Sequence, residues 1–181
     1  MGQPQHKLDL PGFLAWEEAQ PDRHEFVGGE VFAMVGARRV HCDVTVNLTG
    51  LLWSALRGSP CRVYSESRKL QVADDVFYPD VAVSCQLSDV SSDGPMQAPT
   101  LIIEVLSPST QAYDRSLKFA HYRRLASLKE YVLVDPETRR VELFRLGQEG
   151  WVLHDMSDGS LLTLVSVGCE LPIAEVFAGL A

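Results

Sequence analysis

Apolar residues at Val44, Leu48, Leu51, Leu52, Ala55 and Leu56 recur every three or four positions, the period that keeps side chains on one face of an α-helix. Closed by Gly58-Ser59-Pro60, this pattern predicts an amphipathic helix over residues 40–57. Upstream, an early Pro11 with Phe13, Leu14 and Trp16 at helical spacing predicts a short helix over residues 10–19, a lid or prop. His24-Glu25-Phe26-Val27 and Glu30-Val31-Phe32-Ala33-Met34 flank Gly28-Gly29, and a Gly-Gly pair supplies the positive φ angles of a two-residue hairpin turn. Glu25 is thereby placed on a strand.

Residues 62–64 and 68–72 read as strands, and Ala73-Asp74-Asp75 as a turn into a strand over residues 77–84 that contains Asp80. Residues 100–105 form the next strand. The Ser-, Asp-, Gly- and Pro-rich stretch 88–99 between them predicts a mobile loop. Ser107-Pro108-Ser109-Thr110 breaks the chain, and Leu117, His121, Leu125 and Leu128 give the apolar stripe of a second helix over residues 114–126. Tyr131 to Val134 is a buried strand with a hairpin partner at Val141 to Phe144, and residues 151–181 predict two more short strands and a closing helix from Pro172. The expectation is one α/β domain over residues 1–181. Its core lies at about 40–135, a helix and hairpin at 10–34, and C-terminal hairpins and a helix at 139–181.

A length of 181 residues allows one sizeable core, and 46% hydrophobic with 22% charged residues marks an ordered globular chain. The formal charge of −8 argues against a protein that coats nucleic acid through overall charge. Arg115, Lys118, Arg123 and Arg124 form a local basic run, more often a solvated helix face than a phosphate track. Cys42, Cys61, Cys85 and Cys169 are scattered with no C-x-x-C pair, which predicts small buried thiols, no zinc knuckle and no disulfide framework. With a polar Met1 to Asp9 and no long apolar run, the expected setting is the cytoplasm, away from membranes.

The chemistry sits in two short apolar strands that each carry one acid, Asp80 and Glu104. Desolvating an acid costs several kcal/mol unless something offsets it. On neighbouring strands two carboxylates lie roughly 5 Å apart and repel by about 3 kcal/mol at an effective dielectric near 20. That repulsion raises one pKa or draws in a divalent cation, and oxygen donors suit Mg2+ or Mn2+. Lys118 is the candidate electrophilic and water-orienting group, and Tyr122, one turn on, could hold its ammonium or contact phosphate. Glu25 could add a third acid, although a hairpin glutamate is more often a cross-strand partner. For Glu104 the ordinary alternative is a pair with Arg115 or Arg123, and His41, opening the long helix, is either a proton carrier or structural.

Pro79-Asp80 followed by Ile103-Glu104-Val105 resembles the PD-(D/E)XK nuclease superfamily. The longer string Glu104 to Thr110, with Asp114, Lys118, Tyr122 and Glu130 to Pro136, is similar to the Uma-two family of restriction-endonuclease-like proteins. The similarity also covers residues 24–30 and His41, so it spans roughly residues 10–145. It implies a core of helix, three strands, helix and strand, and a metal-dependent endonuclease. Asp80 and Glu104 would be the metal ligands, and Lys118, Glu25 and Tyr122 would join them in the catalytic set. The superfamily pattern places a lysine two residues after the glutamate, where this chain has Leu106, and Lys118 on the next helix would substitute for it. The expected substrate is nucleic acid, DNA above all, and the expected assembly a homodimer or higher homo-oligomer. The alternative is a catalytically inactive oligomeric binding or regulatory module on the same fold.

Overall fold

The structure is a computed structural model that describes residues 8–34, 36–156 and 161–180. The polar stretch at residues 1–7 and part of the tail, 157–160 and 181, lie outside the described residues. The chain runs α1 (Leu10–Glu17), β1 (His24–Val27), β2 (Glu30–Ala33), α2 (Arg39–Ala55), β3 (Arg62–Ser65), β4 (Leu70–Val72), β5 (Asp75–Phe77), β6 (Val81–Ser84), α3 (Leu87–Val90) and β7 (Leu101–Val105). It continues through α4 (Gln111–Tyr113), a π-helical segment (Asp114–Lys118), α5 (Phe119–Tyr122), β8 (Glu130–Asp135), β9 (Arg140–Gly147), β10 (Gly150–Asp155), β11 (Leu161–Leu164), β12 (Cys169–Pro172) and α6 (Ile173–Val176).

A six-stranded sheet in the order β10-β9-β8-β7-β6-β3 carries the core. Its β7–β8 pair is parallel, and the helical stretch from α4 to α5 makes the crossover that a parallel pair requires. Alternation along the strands assigns the two faces. Val81, Val83, Leu101, Ile103 and Val105 pack with Val44, Leu48 and Leu52 of α2. Ala82, Ile102, Tyr131 and Leu133 point the other way, onto Phe119 and Tyr122. Glu104, between Ile103 and Val105, therefore belongs to the α5 face. The predicted amphipathic helix is present as α2, with its expected apolar stripe inward.

A second sheet, β2-β1-β5-β4, holds the predicted Gly28-Gly29 hairpin. Helix α1 props it from outside, with Phe13 stacked on Phe26 at 4.8 Å between ring centroids. The two sheets join at Tyr78-Pro79-Asp80, between β5 and β6. Two expectations are corrected here. Asp80 is not inside a strand but directly precedes β6, and residues 70–72 belong to the second sheet, so β3 takes their place in the core. The physical reason is a change of sheet at a proline, which has no N–H for a ladder.

Stretch 88–99 is anchored rather than loose. Asp89, 4% exposed, accepts hydrogen bonds from the Ser84 hydroxyl at 2.8 Å and from the backbone N–H groups of Gln97 at 3.0 Å and Ala98 at 2.9 Å. Met96 is buried and its backbone pairs with Lys69 and Gln71. The second helix also departs from its apolar reading: Leu117 is exposed, and the buried positions are Asp114, Lys118, Phe119 and Tyr122. Nor are the cysteines four buried thiols. Cys61 and Cys85 form a disulfide, Cys42 is exposed and Cys169 is half-buried. The antiparallel ladder that pairs Arg62 with Ser84 puts Cys61 opposite Cys85 one step further on, a proximity that linear spacing does not reveal. Among the described residues no helix is long and apolar enough to cross a membrane.

Replacing Asp89 tests the anchored stretch. Asp89→Ala leaves two backbone donors without their acceptor and is expected to lower the unfolding free energy by about 2–3 kcal/mol, read as a shift of the urea midpoint at unchanged slope. A midpoint equal to that of the wild type would mean that stretch 88–99 does not depend on this carboxylate.

Candidate active site

Extended one residue past β6, the ladders that pair Val81 with Ser65 and with Ile103 set Asp80 between Glu66 and Glu104. Three carboxylates thus lie in a row across adjacent strands. The Asp80 N–H donates to Glu104 Oε2 at 3.3 Å, and Asp80 Oδ2 accepts from the Val105 N–H at 2.7 Å. These reciprocal bonds fix the acids side by side, as the strand pattern predicts.

Lys118 comes to this row from the helical crossover. Its Nζ lies 3.2 Å from Glu104 Oε1, 3.1 Å from Glu25 Oε1 on β1 and 3.6 Å from Asp114 Oδ1. Asp114 and Lys118 open and close the π-helical segment, and both are buried on its inner face. The Tyr131 hydroxyl donates to the Asp114 carbonyl at 2.9 Å, a side-chain contact to the helix backbone of the kind that accompanies such an irregularity. Glu104 receives a further bond, at 2.9 Å, from the Tyr122 hydroxyl, and Tyr113 donates to Glu25 Oε2 at 3.2 Å.

Burial drives the Glu104 carboxyl well above its ordinary range; Lys118 opposes this while Asp80, Asp114 and Glu25 add to it. Asp114 is raised for the same first reason. Burial by itself would lower Lys118, but Glu104, Glu25, Asp114 and Asp80 outweigh it and hold the ammonium protonated well above the usual lysine value. His41, on the first turn of α2, places Nε2 3.2 Å from Asp80 Oδ2. Burial, the largest single influence, works against its protonation, yet the bond to Asp80 and the charges of Asp80, Glu66 and Asp114 together outweigh it and its pKa is raised.

These groups line one cavity of about 850 Å³ that includes Glu25, His41, Glu66, Asp80, Glu104 and Lys118. Positive charge is scarce in it. Arg23 donates to the Glu66 carbonyl at 3.0 Å and the Ser67 hydroxyl at 2.9 Å, and Arg38 pairs with Glu137. Glu25, Glu66, Asp80, Glu104 and Asp114 thus line the cavity together with one buried ammonium, which contacts three of them, Glu25, Glu104 and Asp114. A divalent cation fits that imbalance, and Asp80 Oδ1 makes no hydrogen bond to a described residue that would oppose it.

Of the residues singled out in the sequence, Asp80, Glu104, Lys118 and Glu25 converge. Tyr122 is corrected: it is wholly buried, bonds Glu104 rather than the ammonium, and does not line the cavity, so it cannot contact phosphate. Arginine is not the partner of Glu104. Arg115 pairs with Glu142, Arg124 lies 3.7 Å from Asp75 and Arg123 stacks over Phe119, so the basic run forms no phosphate track. Asp114 and Tyr113 were missed as site residues, although Asp114 stands four residues before Lys118, the spacing of a helical ion pair. Glu66 had no signal, since only the β3–β6 register brings it in.

Comparison with known proteins gives a consistent picture. The sequence profile of the Uma2 family, described as "Putative restriction endonuclease", matches residues 10–174. Two Synechocystis proteins (strain ATCC 27184 / PCC 6803 / Kazusa), both named as uncharacterized, are 34% identical over 178 residues and 32% identical over 154 residues. These matches cover 97% and 82% of this chain, and 94% and 87% of the relatives. A crystal structure from Anabaena variabilis ATCC 29413, described as a putative nuclease belonging to DUF820, superposes with a TM-score of 0.75 at 19% identity, covering 94% of this chain and 97% of that one. The shared fold is restriction-endonuclease-like.

The buried ammonium makes a stability test. Lys118→Met strands three carboxylates without their cation and is expected to cost about 3–5 kcal/mol of folding free energy, whereas Tyr122→Phe, which removes one hydrogen bond, should cost about 1 kcal/mol. Denaturant titrations of both variants in chelator give the comparison; equal costs would contradict the charge assignment.

Proposed function

The chain belongs to the Uma2 family, within the PD-(D/E)XK nuclease superfamily, and from that premise we propose that it is a divalent-cation-dependent endonuclease that hydrolyses phosphodiester bonds in nucleic acid, with DNA as the substrate. The observation that carries this reading is the meeting of Asp80, Glu104 and Lys118 in one cavity although they come from separate stretches of the chain.

Asp80 and Glu104 would hold Mg2+ or Mn2+ as hard oxygen ligands. When bound, such an ion lowers the pKa of a coordinated water and offsets charge on phosphoryl oxygens. Lys118 orients Glu104 and offers its ammonium at the cavity wall to a phosphate oxygen or the attacking water. Glu25 and Asp114 hold Lys118 charged and in place. Tyr122 steers Glu104 from behind, and the Val105 N–H with His41 sets the rotamer of Asp80. Cleaving both strands of a duplex would draw on two copies, so the working form proposed is a homodimer, and a nucleic-acid substrate fits a cytoplasmic site of action.

One observation favours a second reading. Lys118 already contacts three carboxylates, so the ammonium could replace the cation in a non-catalytic binding module. Calorimetric titration with Mg2+ and Mn2+ separates the two. The endonuclease reading expects binding to the wild type that vanishes in Asp80→Asn. It also expects chelator-sensitive cleavage of plasmid DNA that falls at least about a hundred-fold in Asp80→Asn and in Lys118→Ala, with native far-ultraviolet circular dichroism. Undiminished cleavage in both folded variants would refute it, and absence of cation binding by the wild type would favour the module.

A further inference from the structure

Glu66 is the one acid of the carboxylate row whose side chain takes no hydrogen bond or ion pair among the described residues. Its backbone, by contrast, is tightly held: the Glu66 N–H donates to the Asp80 carbonyl at 3.1 Å, and Arg23 donates to the Glu66 carbonyl at 3.0 Å. Between these anchors Glu66 adopts φ +35°, a left-handed conformation that is strained for a non-glycine residue. Across the cavity stands His41, with Nε2 turned toward Asp80. One carboxylate oxygen of Glu66, one of Asp80 and one imidazole nitrogen of His41 all lie within 4.8 Å of one another.

The geometry points to a second cation subsite formed by His41, Glu66 and Asp80, which takes a first-row transition-type ion such as Mn2+ in preference to Mg2+. The donor set carries the selectivity. An imidazole nitrogen binds manganese, cobalt or zinc readily, whereas Mg2+ favours oxygen donors and retains its waters. Lys118 is not among the ammonium contacts of this trio, since its three partners are Glu25, Glu104 and Asp114. Glu66 and His41 are thus left to the far side of Asp80. The subsite deepens the endonuclease reading and rests on it for one ligand that both would use, Asp80. His41 then serves as a ligand rather than as a proton carrier.

Manganese titration of the full chain followed by electron paramagnetic resonance tests this assignment, with calorimetry for Mg2+ alongside. The wild type is expected to bind two Mn2+ per chain, with spin-echo modulation from a directly bound imidazole nitrogen. His41→Ala should lose that modulation and one Mn2+. Glu66→Gln, a change at a half-buried surface position, should weaken the same Mn2+ at least about ten-fold. Mg2+ binding should persist in both variants, and Glu104→Gln should keep the nitrogen signal while losing the other ion. A wild type without nitrogen modulation, or one bound Mn2+ undisturbed by either variant, overturns the subsite while leaving the Asp80–Glu104 centre intact. Failure of the wild type to bind either cation overturns both.

Discussion

A buried ammonium surrounded by carboxylates is the interaction on which the site depends. Lys118 is 7% exposed and lies within 3.6 Å of oxygens from Glu104, Glu25 and Asp114. Leaving such a cation unpaired in a low-dielectric setting would cost several kcal/mol, and so would leaving any of its partners unpaired. Each charge is tolerable only because the others are present, so the cluster acts as a unit. Two of those acids come from different sheets, Glu25 from β1 and Glu104 from β7, and the third from the crossover itself. The ammonium consequently pins the small sheet, the large sheet and the helical crossover at one point.

The same arrangement leaves the cavity short of positive charge. Arg23 is engaged with a carbonyl and a hydroxyl, Arg38 with Glu137, and Arg115 and Arg124 with acids elsewhere. The chain is acidic overall, with a formal charge of −8, yet the decisive imbalance is local. Burial pushes Glu104 toward its protonated form, Lys118 opposes that and itself stays charged, so the ionisation of the row Glu66-Asp80-Glu104 is set by its neighbours rather than by solvent. The fold thus sets oxygen donors in a row with an ammonium beside them.

Much of the framework was readable along the chain. Helix α2, the Gly28-Gly29 hairpin, the apolar strands around residues 81–84 and 101–105, and the buried strand 130–135 all follow from periodicity and turn chemistry. Asp80 and Glu104 stood out because an acid amid apolar strand residues demands a partner. Of the stripe Leu117-His121-Leu125-Leu128, Leu128 is buried and Leu125 packs beside it, but Leu117 faces solvent and the buried face upstream belongs to Asp114, Lys118 and Tyr122, whose polar atoms the fold pairs. The polar stretch 88–99 looked unsupported because Asp89 has its hydroxyl and backbone partners supplied by the fold.

What the sequence by itself determined was the succession of helices and strands and the family likeness, since both are written in neighbouring residues and short spacings. It also singled out Asp80, Glu104, Lys118 and Glu25 and expected them in one site. Only the tertiary structure decided that Asp80 lies at a change of sheet, that Tyr122 backs Glu104, that Glu66 joins the row and that Cys61 meets Cys85. The reason is register: hydrogen-bonded ladders select which distant residues face each other, and a one-residue shift would send each side chain to the opposite face.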